Sequence, residues 1–155
     1  MVASVRVLAL DPGVATGLAL YDDSFPSSDP LRLVTAEMDQ MTTCDRAKVI
    51  VQSSTYPVAA VVCESYRITA ETIRKTRQTA SLEIIGCIRW LCHESGVPFL
   101  LQSPADAKRF MPDAKLKALD WWRSSSQDHA HDALRHLGLF LAKQGNKEVL
   151  CAGGS

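Results

Sequence analysis

Apolar and polar positions alternate along this chain in a way that lays out most of its elements. Val5-Arg6-Val7-Leu8-Ala9-Leu10 is β-branched and apolar enough for a buried strand, and Asp11-Pro12-Gly13 ends it sharply. Leu18 to Tyr21 predicts a returning strand, a polar proline-containing turn covers Asp22 to Pro30, and Leu31 to Glu37 predicts a third strand, so an antiparallel meander is expected. Thr43 to Ser53 predicts a helix with Thr42 or Thr43 as N-cap and Ala47, Ile50 and Val51 facing inward. Val58 to Cys63 is continuously apolar and closes on Glu64, the pattern of a strand covered on both faces. A long segment from Ala70 ends at Ser95-Gly96, and Val97 to Leu101 predicts a last strand.

The remainder predicts helices: a short one from Ser103-Pro104 to Met111-Pro112, another over Ala114 to Arg123, and a final one over Asp128 to Lys143. Three strands followed by alternating helices and strands imply an α/β domain, a mixed five-stranded sheet with helices on both faces. At 155 residues one core is expected, with a single domain over 1–148 and a frayed tail over 149–155.

Composition narrows the class. Hydrophobic residues are 46% of the chain and charged residues 22%, as in ordinary globular proteins, and no apolar run is long enough to span a bilayer. The run before Asp11 is too short for a signal peptide and lacks a cleavage site, so a cytoplasmic location is expected. Five cysteines without a C-x-x-C suit buried free thiols in a reducing compartment, and a zinc site drawing on Cys92, His93 or the later histidines has the wrong spacings. The formal net charge is zero, but residues 1–45 hold seven acids against two bases and the rest fifteen bases against ten acids. An acidic rim and a basic surface on one domain suit a polyanion approaching from one side, although a plain solvated surface would look the same.

The candidate chemistry is carboxylate chemistry. Asp11 and Glu64 each follow an apolar strand, so parallel neighbouring strands would bring both to one sheet edge, where hard divalent cations prefer oxygen ligands. Taken singly, Asp11 reads as a turn residue and Glu64 as an ordinary strand end. His129 and Asp132 open the last helix at i and i+3 and share a face. Asp128 competes with His129 as a ligand, yet Ser125-Ser126-Gln127-Asp128 fits a capping pattern, while His131 points elsewhere and suits a neighbouring acid. Leu134, Leu137 and Leu141 face the core, and of Trp121 and Trp122 at least one must pack beneath its helix.

Leu10-Asp11-Pro12-Gly13 with Thr16-Gly17, then Val62-Cys63-Glu64, then Asp128-His129-Ala130-His131-Asp132-Ala133-Leu134 resemble, in order, the three acidic motifs of RuvC-type Holliday-junction resolvases. The last motif also resembles the third segment of the RuvC-type nuclease domain of RNA-guided CRISPR nucleases. The resemblance implies a short member of that group with an RNase H-like fold. It also implies a homodimer, and hydrolysis of branched DNA (four-way junctions, Y-forks, flaps) with two Mg²⁺ ions per site, for which Mn²⁺ can substitute.

It places the metal ligands at Asp11, Glu64, His129 and Asp132, with Asp128 as the alternative to His129. Ser103-Pro104, Lys108 and the Lys115–Lys117 stretch resemble the family's basic DNA-contacting segment. Arg74, Lys75 and Arg77 would add positive charge for flanking phosphates, and Tyr66, with Arg67 beside it, could stack on an unpaired base or sit at the core's rim. The chain departs from the pattern by a short loop around Met111 to Asp113, and by placing Tyr66-Arg67 where an aromatic wedge usually comes slightly later.

The helix from about Thr79 to His93 is apolar on nearly every side, which predicts a two-fold contact along it or else burial within one chain. Two other functions remain open on sequence: a non-cleaving RNase H-like DNA-binding module, and an actin-like ATPase or sugar kinase suggested by Asp11-Pro12-Gly13 and Thr16-Gly17. The second needs a partner lobe and a second phosphate loop for which this chain has no segment.

Overall fold

The computed structural model describes residues 4–75, 79–124 and 127–152, and the side chains of all of these except 73–75. Five strands form one sheet in the order β3-β2-β1-β4-β5: β1 (Arg6–Asp11), β2 (Thr16–Asp22), β3 (Leu33–Met38), β4 (Ala60–Glu64) and β5 (Phe99–Gln102). β1, β2 and β3 form the expected antiparallel meander, while β4 runs parallel to β1 and β5 parallel to β4. This is an RNase H-like mixed sheet with helices on both faces.

Side chains alternate across a sheet, so each strand feeds two cores. Val7, Ala9, Ala19, Tyr21, Ala60 and Val62 face α6 (Asp128–Lys143), where Ala133, Leu134, Leu137, Phe140 and Leu141 meet them. Leu8, Leu10, Leu18, Val61 and Cys63 face the other way, onto Ala47 and Val51 of α1 (Gln40–Val51) and Ile84, Ile85, Ile88, Leu91 and Cys92 of α3 (Ala80–Ser95). Coverage on both faces is why β1 and β4 read as continuous apolar runs. Truncating a fully buried leucine such as Leu134 or Leu137 would cost about 2–5 kcal/mol.

Several local expectations are corrected. Helix α1 begins at Gln40 because Asp39, not Thr42 or Thr43, is the N-cap: its carboxylate accepts the Thr42 N–H at 3.0 Å, and Thr43 is buried instead. The stretch 70–95 holds two helices, α2 (Ala70–Lys75) and α3. Helices α4 (Pro104–Phe110) and α5 (Asp113–Ala118) follow, and α5 is shorter than its pattern predicts because Asp120 takes a left-handed backbone (φ 57°). Trp121 is buried beyond the end of that helix rather than beneath it.

A short helix, α7 (Lys147–Cys151), capped by Asn146 and anchored by buried Val149, takes in the first residues of the expected tail, and 153–155 lie outside the described residues. All five cysteines are free, but only Cys63 and Cys92 are buried; Cys87 and Cys151 are exposed. No helix among the described residues is long and apolar enough to cross a membrane.

Candidate active site

The strand registers place one row of residues straight across the sheet. Glu37 pairs with Gly17, Gly17 with Asp11, and Glu64 with Gln102; Leu10 stands beside Cys63, so Asp11 and Glu64 are the next neighbours along β1 and β4. Asp11 shares strand parity with Val7 and Ala9, and Glu64 with Ala60 and Val62, so both carboxylates face α6 rather than α3. Each strand therefore ends, on the α6 face, with a polar side chain or with no side chain.

The first three turns of α6 answer this row residue by residue. Glu37 Oε1 accepts the backbone N–H groups of His129 (2.9 Å) and Ala130 (3.1 Å), capping the helix from β3. That role was expected of Asp128, which instead lies exposed at the helix start; Gln127 is the N-cap and makes no side-chain capping bond. Ser125 and Ser126 of the expected capping pattern lie outside the described residues.

His129 Nδ1 lies 2.9 Å from Asp11 Oδ2. His136, one turn beyond Asp132, reaches Glu64 Oε2 through Nε2 (2.9 Å) and Gln102 Oε1 through Nδ1 (3.0 Å). Asp132 is held by Arg135 Nε (3.1 Å) and faces Lys108 Nζ at 3.4 Å; Arg135 also donates to Asp113 (2.6 Å) and the Met111 carbonyl (2.7 Å).

The electrostatics centre on Asp11, which is 6% exposed. Burial first, and then the nearby charges of Glu64 and Asp132, raise its carboxyl to about 6 against the lowering bond from His129. His129 moves the same way. Burial opposes its charge, but the bond and charge of Asp11 outweigh that, with Glu37 and Asp132 adding, and its pKa is raised. A proton on Nδ1, shared with Asp11, leaves Nε2 as the acceptor of the neutral ring.

The four acidic-motif residues are thus gathered at one sheet edge, although among the described residues no three His, Cys, Asp or Glu side chains close into a ready cage. The donor set is what a hard divalent cation requires: carboxylate oxygens grouped around one buried acid, whose carboxyl is raised first by burial and then by the charges of Glu64 and Asp132. The hydrogen bonds from His129 and His136 engage one oxygen of Asp11 and one of Glu64.

The expected DNA-contacting residues divide. Lys108 joins the site through Asp132 and is 58% exposed. Tyr66 packs partly against the α1–α3 core, and Arg67 is exposed beside it. Lys115 lies over the Phe110 ring and Lys117 over Trp122, so both cations already have aromatic partners. Arg77 and the side chains of Arg74 and Lys75 lie outside the described residues. Among the described residues no hydrogen bond or ion pair joins His131 to an acid: it is buried, stacks on Trp122 at 4.0 Å between ring centroids, and accepts the Arg123 N–H through Nε2 at 3.2 Å.

The motif reading passed over Glu37, Gln102, Arg135 and His136. His136 carried a signal, its spacing of seven from His129 and four from Asp132 on the same stripe.

Comparison with known proteins places the fold. No protein-family profile matches the chain. Two solved structures of Thermus thermophilus RuvC superpose on it, one in complex with a Holliday junction substrate (TM-score 0.60) and a second RuvC structure (TM-score 0.61). Each is 16% identical and covers 92% of this chain, and the matches take in 97% and 98% of those proteins. The chain therefore has the fold of the RuvC resolvase structures. A curated protein, the lipid-A-disaccharide synthase of Aromatoleum aromaticum (strain EbN1), is 32% identical over 127 residues, which are 76% of this chain but 31% of the synthase. The chain spans about a third of that relative's length.

Proposed function

We propose that this chain is a metal-dependent, structure-selective DNA endonuclease that resolves Holliday junctions and other branched DNA by phosphodiester hydrolysis. The observation that carries the reading is the pairing of Asp11 and Glu64 on adjacent parallel strands, faced by His129 and Asp132 from α6, on a fold like that of a RuvC described with a junction substrate.

Asp11, Glu64, Asp132 and His129 would hold two Mg²⁺ ions, or Mn²⁺ in their place, with Asp128 as the alternative to His129. Bound there, such ions would activate a water for attack and neutralise charge on the leaving oxygen. Asp11 supplies the most buried oxygens. Arg135 fixes the rotamer of Asp132, and Lys108 both screens Asp132 and offers an exposed ammonium to a phosphate. Tyr66, Arg67, Lys115, Lys117 and the bases of 74–77 are further candidates for the DNA path. A cytoplasmic location accords with such a substrate. A homodimer is supported by Trp90 and Leu82, which α3 leaves exposed at 64% and 38%.

The test is incubation of the purified chain with labelled four-way, Y-shaped and linear duplex DNA in Mg²⁺, Mn²⁺ or chelator. Branched substrates should be cut only with metal, and Glu64→Gln and Asp132→Asn should bind junctions without cutting them. An Asp132→Asn chain cutting at the wild-type rate would refute the site. His129→Ala should cost more activity than Asp128→Ala; the reverse order would move the ligand to Asp128.

A further inference from the structure

We propose that His136 is a positioning residue for Glu64, acting through a buried relay that runs from Gln102 on β5 through the His136 imidazole to the Glu64 carboxylate. The inference rests on the nuclease reading above and concerns residues outside its acidic motifs. His136 is 1% exposed and Gln102 8%, and burying an imidazole and an amide at the sheet–helix contact is costly unless their polar atoms are bonded. Both ring nitrogens are: Nδ1 to Gln102 Oε1 at 3.0 Å and Nε2 to Glu64 Oε2 at 2.9 Å.

Packing alone would not call for an imidazole at this position. Ala133, Leu134, Leu137, Phe140 and Leu141 of the same helix cover the sheet with apolar side chains, and a leucine at 136 would extend that surface.

The chemistry fixes the direction of the relay. An ionised carboxylate only accepts, so whichever way the Gln102 amide faces, the proton between His136 and Glu64 belongs to Nε2. Gln102 in turn locks the ring plane by engaging Nδ1. Glu64 is thereby held by one named oxygen from inside the protein, its rotamer set before any ligand arrives. A group anchored in this way needs no reordering on binding, and outer partners of metal-ligating groups commonly change metal affinity about 10–100-fold.

The test uses the full chain with Mn²⁺ alone as probe, titrated by calorimetry, alongside thermal melts in chelator and ¹⁵N spectra of the histidine rings. Wild type should show a proton on His136 Nε2 and should bind Mn²⁺. His136→Leu should remain folded and bind Mn²⁺ about tenfold or more weakly. His136→Gln, which keeps an N–H donor, should recover most of the loss.

If His136→Leu does not fold, Gln102→Leu reads the same relay from its outer end and should also weaken Mn²⁺ binding. A folded His136→Leu or Gln102→Leu chain with wild-type Mn²⁺ affinity, even if its melting temperature falls, would overturn the inference and leave the nuclease reading standing. A wild-type chain that binds no Mn²⁺ would overturn the nuclease reading and the relay with it.

Discussion

A Cβ placed on Gly17 would stand 1.8 Å from the main-chain oxygen of His129 and 2.7 Å from the nitrogen of Ala130. The start of α6 is seated directly on β2, and only a residue without a side chain lets the helix come that close. That seat brings His129 to Asp11 and lets Glu37 reach the free N–H groups of the helix.

Gly17→Ala should therefore behave as a site mutation as well as a stability mutation. The obstacle is backbone, so no rotamer change relieves it and the helix start must lift. A cost of about 3 kcal/mol is expected in urea unfolding, together with loss of metal-dependent cleavage. A Gly17→Ala chain with wild-type unfolding and cleavage would mean that α6 does not rest on β2.

How much of this was legible beforehand follows from which features are local. Asp11 and Glu64 announced themselves because each ends an apolar run, and His129 and Asp132 because their spacing is that of one helix face. Glu37 and Gln102 belong to the same row, but only the pairing register puts them there, and no local pattern in β3 or β5 states a register. His136 shares a stripe with His129 and Asp132, but Ala133, Leu137 and Phe140 surround it on the helix, so that spacing is masked by an apolar pattern that reads as core. Asp39 lost to Thr42 and Thr43 as the expected cap because all three are good N-caps, and the contest is decided by where β3 ends.

Asp11→Asn should abolish cleavage yet stabilise the metal-free chain. The folded carboxyl is raised from 3.8 to about 6, so the stability tied to its proton is present below about 4 and is lost as pH rises through 6. The asparagine loses nothing over that range. In chelator, the advantage of Asp11→Asn in thermal or urea unfolding should grow between pH 4 and 6 and then level off, at roughly 3 kcal/mol at most. Added Mg²⁺ should raise the wild-type melting temperature and leave the variant unmoved. A wild type more stable than Asp11→Asn at pH 7 in chelator would show that Asp11 is not a desolvated, uncompensated acid.

Lys108→Ala should weaken junction binding and flatten its salt dependence, because a lost phosphate contact releases fewer counterions, by about 0.9 in the log–log slope per contact on duplex DNA. Lys115→Ala and Lys117→Ala should change the slope less, since those ammonium groups already lie over Phe110 and Trp122. Binding isotherms between 50 and 200 mM salt, roughly the range over which phosphate contacts are best resolved, decide this. An unchanged slope for Lys108→Ala would leave that lysine as a partner of Asp132 alone.

The last prediction concerns assembly. The apolar encirclement of the 79–93 helix predicts a self-contact or burial within one chain, and α3 divides between the two. Ile88 is fully buried against the sheet, so charging it would unfold the chain and report nothing about a second copy. The large apolar side chains that α3 leaves exposed are Trp90 and, two turns before it, Leu82, and a large exposed tryptophan is the kind of anchor a two-fold contact buries. Sedimentation equilibrium of the wild type at micromolar concentration should give about twice the chain mass, since one isologous contact closes at two copies. Trp90→Glu should give a folded monomer, with unchanged helical circular dichroism. Paired incision of a four-way junction should then fall to single cuts, because one chain presents one acidic row. A wild type that stays monomeric would remove the structural basis for paired cuts and favour a single-cut, flap-type nuclease.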